Sequence, residues 1–137
     1  MRAIESWGRV RADGAQRRLW WRDEPLPLDA PGTALPFGLG RSYGDVCLNQ
    51  GGTLLLTRGL SRLISFDPAT GLLACEAGVS LGEILARFAP LGFFLPVVPG
   101  TKHVTVGGAV ANDVHGKNHH RAGSFGAHVT RLELLRS

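Results

Sequence analysis

The sequence is short of sulfur and of long apolar runs, and each shortage excludes something. Its two cysteines, Cys47 and Cys75, stand far from any CxxC spacing. Neither a zinc ribbon nor a disulfide framework is indicated, and reduced thiols are expected. No stretch approaches the roughly 18 apolar residues of a membrane span, and the first residues lack the apolar segment of a signal peptide. A cytoplasmic protein is expected, with peripheral contact at a membrane surface open to it. Aromatic residues are sparse at 7%. What the chain has instead is glycine, 19 of 137 residues, about twice the usual share and clustered without a collagen-like period. With 44% hydrophobic and 19% charged residues, the chain fits one compact folded domain in which some backbone must stay bare of side chains.

The net charge of +4 is confined to one end. Arg2, Arg9, Arg11, Arg17, Arg18 and Arg22 outnumber Glu5 and Asp13 by four within residues 1–22, and the remainder balances at nine against nine. A solvated basic arm is the expected reading. No recognition helix or aromatic stacking platform accompanies it, so nucleic acid is not expected as a partner.

Residues 23–36 hold four prolines and one glycine, so they read as a connector without regular structure until about Ala34. Residues 53–57 and 63–66 read as short buried strands. Asp67, Pro68, Ala69, Thr70 and Gly71 form a turn, and residues 72–76 return antiparallel. Ser80 is placed to cap a helix with Glu83 completing a capping box, and Leu81, Ile84, Leu85 and Phe88 form its apolar stripe until Pro90 and Gly92. Residues 129–135 alternate well enough for a further strand.

Two glycine-rich segments carry the chemistry. Gly38-Leu39-Gly40-Arg41-Ser42-Tyr43-Gly44-Asp45 resembles a dinucleotide fingerprint, but the following VCLNQGG has no helical periodicity, so a Rossmann loop is not expected. Gly100-Thr101-Lys102 lacks the spacing of a P-loop. What remains is a loop of backbone N–H groups with the Arg41 guanidinium and the Ser42 and Tyr43 hydroxyls nearby, suited to phosphate oxygens. In the second segment, Thr105, Val106, Gly107, Gly108, Ala109, Val110, Ala111 and Asn112 place small residues at helical spacing after a polar start. A helix beginning near Gly107 is expected to offer free N–H groups to an anion and a bare face of Gly108, Ala109 and Ala111. Two anion sites suggest one elongated ligand, a diphosphate-bearing cofactor.

His115, His119 and His120 raise the question of metal, but Gly116 and Asn118 argue against a helix there and no thiolate or paired carboxylate completes a set. No metal is expected. Ser124, His115 and Asp113 lack a nucleophile elbow, so a hydrolytic triad is not expected either.

GLGRSYGD followed by PGTKHVTVGGAVANDVHGKNHHRAGSFG resembles the flavin-binding part of FAD-linked oxidases of the vanillyl-alcohol-oxidase type, with a PCMH-type domain. Within that superfamily it is most similar to decaprenylphosphoryl-ribose 2-epimerase oxidases, over roughly three quarters of the chain. Trp7-Gly8-Arg9 resembles the family's opening. The resemblance implies an α+β PCMH-type FAD-binding domain, incomplete, over residues 34–137, preceded by a basic arm and proline-rich connector over residues 1–33. It implies that Phe37, Gly38, Leu39, Gly40, Arg41, Ser42, Tyr43, Gly44, Asp45 and Val46 wrap the FAD pyrophosphate. Gly100, Thr105, Val106, Gly107 and Gly108 then form the opposing wall, and Asn112, Asp113, Val114 and His115 lie toward the flavin. Arg41 occupies the place where covalent members attach the flavin through histidine, which implies dissociable FAD. The segment between Pro25 and Pro36 leaves no room for the family's usual helix, implying an abbreviated first βαβ-like portion.

The implied activity is oxidation of a sugar or other alcohol CH–OH group, with a lipid-linked polyprenylphosphoryl-ribose as one substrate and a partner reductase acting next. The family's catalytic Lys and Tyr belong to a C-terminal substrate domain absent from this sequence, so Lys117 and Tyr43 are not assigned those roles and no catalytic residue is expected here. A non-catalytic fragment that binds flavin weakly or folds against a partner is the rival reading.

Overall fold

A computed structural model describes residues 3–28 and 32–136 and divides the chain into two compact units, Met1–Leu60 and Ser61–Arg136. Arg2 of the basic segment, Asp29 and Pro31 of the connector, and Ser137 lie outside the described residues.

In the first unit the basic segment carries strands. β1 (Ile4–Glu5) pairs antiparallel with β2 (Arg11–Ala12). β3 (Ala15–Arg18) and β4 (Ala34–Phe37) both run parallel to β5 (Thr53–Leu56), giving the order β3-β5-β4. The central position explains the composition of β5. Flanked on both edges, it reads Thr-Leu-Leu-Leu, with Leu54 and Leu55 buried, as a strand covered on both faces should.

Parallel strands of one sheet need a long crossover, usually helical, and β3 and β4 run parallel on either side of β5. Here the connection over residues 19–33 contains no helix among its described residues, because Pro25 and Pro27 remove two N–H donors. Regular structure resumes at Ala34, in line with the connector expectation. Asn49 ties the strand starts together. Its Nδ2 donates to the carbonyls of Thr33 (2.9 Å) and Thr53 (3.2 Å), and its Oδ1 accepts from the Thr33 hydroxyl at 2.9 Å. The Asn49 side chain fills the place where a Cβ on residue 52 would stand, so that residue is glycine.

The second unit opens with the expected hairpin, β6 (Leu63–Asp67) antiparallel to β7 (Leu72–Cys75). Asp67 organises the turn by accepting from the Ala69 N–H at 2.9 Å and the Thr70 hydroxyl at 2.7 Å, and Gly71 takes φ +72°. Expected as buried, β6 is mostly exposed, with Ile64 at 49%. A two-stranded hairpin has one face to pack, and Phe66 fills it against the rings of Phe88 and Phe93, at 4.5 and 4.9 Å. Glu76, just past β7, is buried and accepts from the Arg62 N–H at 2.7 Å and guanidinium at 3.2 Å.

Helix α1 (Leu81–Phe88) carries the full capping box: Ser80 Oγ accepts from the Glu83 N–H, and the Glu83 carboxylate accepts from the Ser80 N–H. Leu81, Ile84 and Phe88 are its buried face. The chain then turns through a single 3-10 turn, where Gly92 adopts φ +86°. Helices α2 (Val106–Ala111) and α3 (His119–Ala122) are short. Leu81, Val97, Ala109 and Phe125 form one core cluster and Val79, Ile84 and Phe88 a second.

Residues 129–135 do not form the expected strand. They lack a pairing partner among the described residues, and Leu132, Leu134 and Leu135 are exposed. Alternation alone makes no strand without a ladder to join. Among the described residues no helix is long and apolar enough to cross a membrane.

Candidate cofactor site

The first glycine-rich loop leaves the C-terminal end of β4 in the first unit. Phe37 ends the strand, and its carbonyl accepts from the Thr57 hydroxyl at 3.1 Å. Gly40 and Gly44 take φ +65° and +57°, the left-handed region that side chains disfavour. The Gly40 carbonyl accepts from the Trp7 N–H at 2.8 Å, and the Arg41 guanidinium lies 5.2 Å from the Trp7 ring centroid. Trp7 is therefore part of this loop's support. The sequence noted Trp7 only as an opening motif, since a contact from the first turn to residue 41 leaves no local spacing to read.

Among the described residues, the N–H groups of Gly38, Leu39, Tyr43 and Gly44 donate to no protein acceptor. Tyr43, Asp45 and Val46 are exposed, and Leu39 and Ser42 half-buried. Cys47 closes the loop. Burial pushes its thiol up, the Asp45 charge adds to that, and N–H groups of Cys47 and Ser42 oppose it. Cys75 is raised as well, by burial and then by the Glu76 charge. Both are free and protonated at neutral pH, in an environment that does not favour a reactive thiolate.

The second segment lies in the other unit and uses its glycines differently. Thr105 caps α2, its Oγ1 accepting from the Gly108 N–H at 3.1 Å. The Val106 N–H donates to the Val79 carbonyl at 2.7 Å and the Gly107 N–H to the Ala77 carbonyl at 2.8 Å. The expectation of free N–H groups at this helix start is thus overturned. Its first amides are engaged by the residues 77–79 backbone and by the cap. Gly107 is bare for the same reason, because a Cβ there would stand 3.1 Å from the Ala77 Cβ and 3.2 Å from its carbonyl oxygen. Gly108 differs, a Cβ there meeting only the Thr105 hydroxyl, at 3.1 Å, and a Cβ on Gly100 would meet nothing within 4 Å beyond its chain neighbours among the described residues. These two positions leave space on the surface of the unit.

Beyond α2, Asn112 returns its Nδ2 to the Gly108 carbonyl at 2.8 Å. Asp113 sits at φ +41° and accepts from the Gly126 N–H at 2.8 Å. That bond, and then the Ser124 hydroxyl, hold its carboxyl below the usual range. Val114 accepts from the Phe125 N–H at 2.8 Å, and His115 bridges antiparallel to Ser124. Asp113, His115 and Ser124 therefore do meet. The serine hydroxyl, however, acts on the aspartate, and among the described residues no hydrogen bond joins it to the histidine, the wrong order for a nucleophilic relay. The exposed His115 ring stands edge-on to His119, centroids 5.3 Å apart. Among the described residues no three His, Cys, Asp or Glu side chains are grouped to hold a metal ion. A cavity of about 330 Å³ in the first unit is lined by Leu26, Leu28, Pro36 and Leu55 among others, and by none of the expected cofactor residues.

The FAD binding domain family matches residues 30–137. The chain is 53% identical over 98 residues to the decaprenylphosphoryl-beta-D-ribose oxidase of Mycolicibacterium smegmatis, covering 72% of this chain and 21% of that protein. It is 30% identical over 101 residues to the D-2-hydroxyglutarate dehydrogenase of Escherichia coli, covering 73% of this chain and 10% of that one. A solved structure of alkyldihydroxyacetonephosphate synthase superposes with a TM-score of 0.59 at 19% identity, over 71% of this chain and 18% of the other, which shows a shared fold. The chain spans about a fifth of the first relative and a tenth of the second. It belongs to the FAD binding domain family, and its α+β architecture is that of a PCMH-type domain.

Proposed function

We propose that this member of the FAD binding domain family is the cofactor-holding portion of a flavin-dependent oxidoreductase acting on a CH–OH group of a sugar or other alcohol. The observation that carries this reading is the loop at residues 38–44. Among the described residues four of its N–H groups are unengaged by protein, two of its glycines are in left-handed geometry, and one guanidinium is held beside it on Trp7. Such a loop fits a diphosphate, which takes several donors at close range.

The two segments fit FAD in different ways. The first supplies donors: the amides of Gly38, Leu39, Tyr43 and Gly44, the Arg41 side chain and the Ser42 hydroxyl hold the diphosphate. The second supplies a bare wall at Gly100 and Gly108, and its amides take no part. Val114 and His115 are the second segment's residues toward the flavin ring, with His115 positioned by its bridge to Ser124. Bound FAD supplies the redox chemistry by accepting hydride from the carbinol carbon. The chain's own residues bind and orient the cofactor, and Asn112 and Asp113 keep the loop beneath it in shape. With arginine at position 41, the cofactor is held without a covalent bond.

The name of the mycobacterial relative supports a polyprenyl-phosphate-linked ribose as substrate, and a reductase acting on the oxidised sugar belongs to the same proposal. The test is direct. The purified chain is titrated with FAD and with riboflavin, following flavin fluorescence. Saturable binding of FAD, much tighter than that of riboflavin, is the expected result. A colourless chain that takes up neither refutes the reading.

A further inference from the structure

The chain's whole net charge arises in residues 1–22, and the structure shows what that charge surrounds. β3 is an edge of its sheet, with Arg17 and Arg18 exposed on it. The chain leaves β3 through buried Leu19 and then presents two consecutive indoles, Trp20 at 52% and Trp21 at 63% exposure. This presentation is built into the fold. Glu24 Oε1 accepts from the Trp20 N–H at 2.7 Å and the Trp21 N–H at 3.3 Å, which holds the turn. Gly59 leaves room for the Leu19 carbonyl, and a Cβ there would also stand 3.1 Å from the edge of the Trp20 ring. The Arg18 guanidinium lies over Trp20, 5.2 Å from its centroid. Exposed Arg22 follows, 3.8 Å from Asp23.

Two adjacent, exposed tryptophans are unusual on a surface that faces only water. Indole prefers the boundary between headgroups and acyl chains, and neighbouring arginines are attracted by anionic lipid. We propose that Trp20 and Trp21, fenced by Arg17, Arg18 and Arg22, dock the chain on a bilayer surface bearing anionic headgroups. Single-stranded nucleic acid would use the same charges but needs open ring faces for its bases, and Arg18 covers one face of Trp20. The proposal stands independently of the cofactor reading.

The test uses vesicles of phosphatidylcholine with and without phosphatidylglycerol, pelleted with the chain. Co-sedimentation is expected with the anionic vesicles alone, and high salt weakens it. Replacing Arg17 and Arg18 together by glutamine lowers partitioning roughly tenfold or more, with unchanged far-ultraviolet circular dichroism. Brominated phosphatidylcholine in the anionic vesicles quenches tryptophan emission. The Trp20→Phe, Trp21→Phe double variant leaves Trp7 as the last of three tryptophans, and quenching then disappears. The proposal is overturned by absence of pelleting with anionic vesicles, by quenching that survives in the double variant, or by tighter binding to a single-stranded oligonucleotide than to vesicles.

Discussion

The two glycine-rich segments look alike in sequence and do opposite things with their backbone. In residues 38–44, glycine at positions 40 and 44 lets the chain turn through left-handed geometry, and four N–H groups have no protein acceptor among the described residues. In residues 105–108, Gly107 lets one backbone press on another, and the amides of residues 106–108 are engaged. A run of glycine therefore marks either a left-handed turn or closeness to protein: Gly40 turns against the Phe37 ring and the Glu5 carbonyl, Gly44 turns in open space, and Gly107 presses on Ala77. Within the second segment Gly108 is the exception, since its only near neighbour is the Thr105 hydroxyl.

The contrast can be broken by substitution. Gly107→Val drives a side chain into the Ala77 backbone, and we expect it to cost about 2 to 3 kcal/mol of stability in chemical denaturation. If it is neutral for folding but abolishes FAD uptake, the two roles have been assigned the wrong way round. Gly108→Val presses only on the Thr105 hydroxyl, so it should cost stability no more than about the 1 kcal/mol of that cap, while weakening FAD binding roughly a hundredfold, a loss on the order of 2.7 kcal/mol.

Arg41→Ala removes a charged donor, so FAD affinity should drop about tenfold while stability holds. Equal loss of riboflavin binding would place Arg41 away from the diphosphate. Thr105→Ala takes the cap from α2 and should lower stability by about 1 kcal/mol, with FAD affinity unchanged in the fraction that remains folded.

The smallest effect concerns acid. The Gly126 N–H, then the Ser124 hydroxyl, depress the Asp113 pKa in the folded chain. Its contribution is therefore complete above the unfolded value of about pH 4 and is lost as pH falls through the lower, folded value. Asp113→Asn should flatten the acid limb of the stability profile. Asp67, lowered by the Thr70 hydroxyl and the Ala69 N–H, keeps part of that limb in place. A profile identical to that of the unsubstituted chain would remove Asp113 from the loop's support.

Where local chemistry suffices, the elements were legible. The hairpin turn is Asp67, Pro68 and Gly71 acting over a few residues, and the α1 cap is Ser80 and Glu83 three apart. Neither needs distant partners. Legibility failed where an outcome depended on a second piece of chain. Residues 129–135 alternate as a strand does but find nothing to pair with among the described residues. The described arginines of the basic arm are exposed, but that Ala15–Arg18 pairs with Thr53–Leu56 as a strand had no signal in local spacing. Trp7 joined the candidate site only through Gly40 and Arg41.

By itself, the order of residues determined two glycine-rich segments suited to an anion, a capped helix and a hairpin, since each is written in spacings of a few residues, while the flavin came from the family resemblance. Tertiary structure alone decided which amides stayed open. A hydrogen-bond donor is available to a ligand only when no carbonyl lies within reach, and the carbonyls of Ala77 and Val79 approach α2 from nearly thirty residues earlier in the chain.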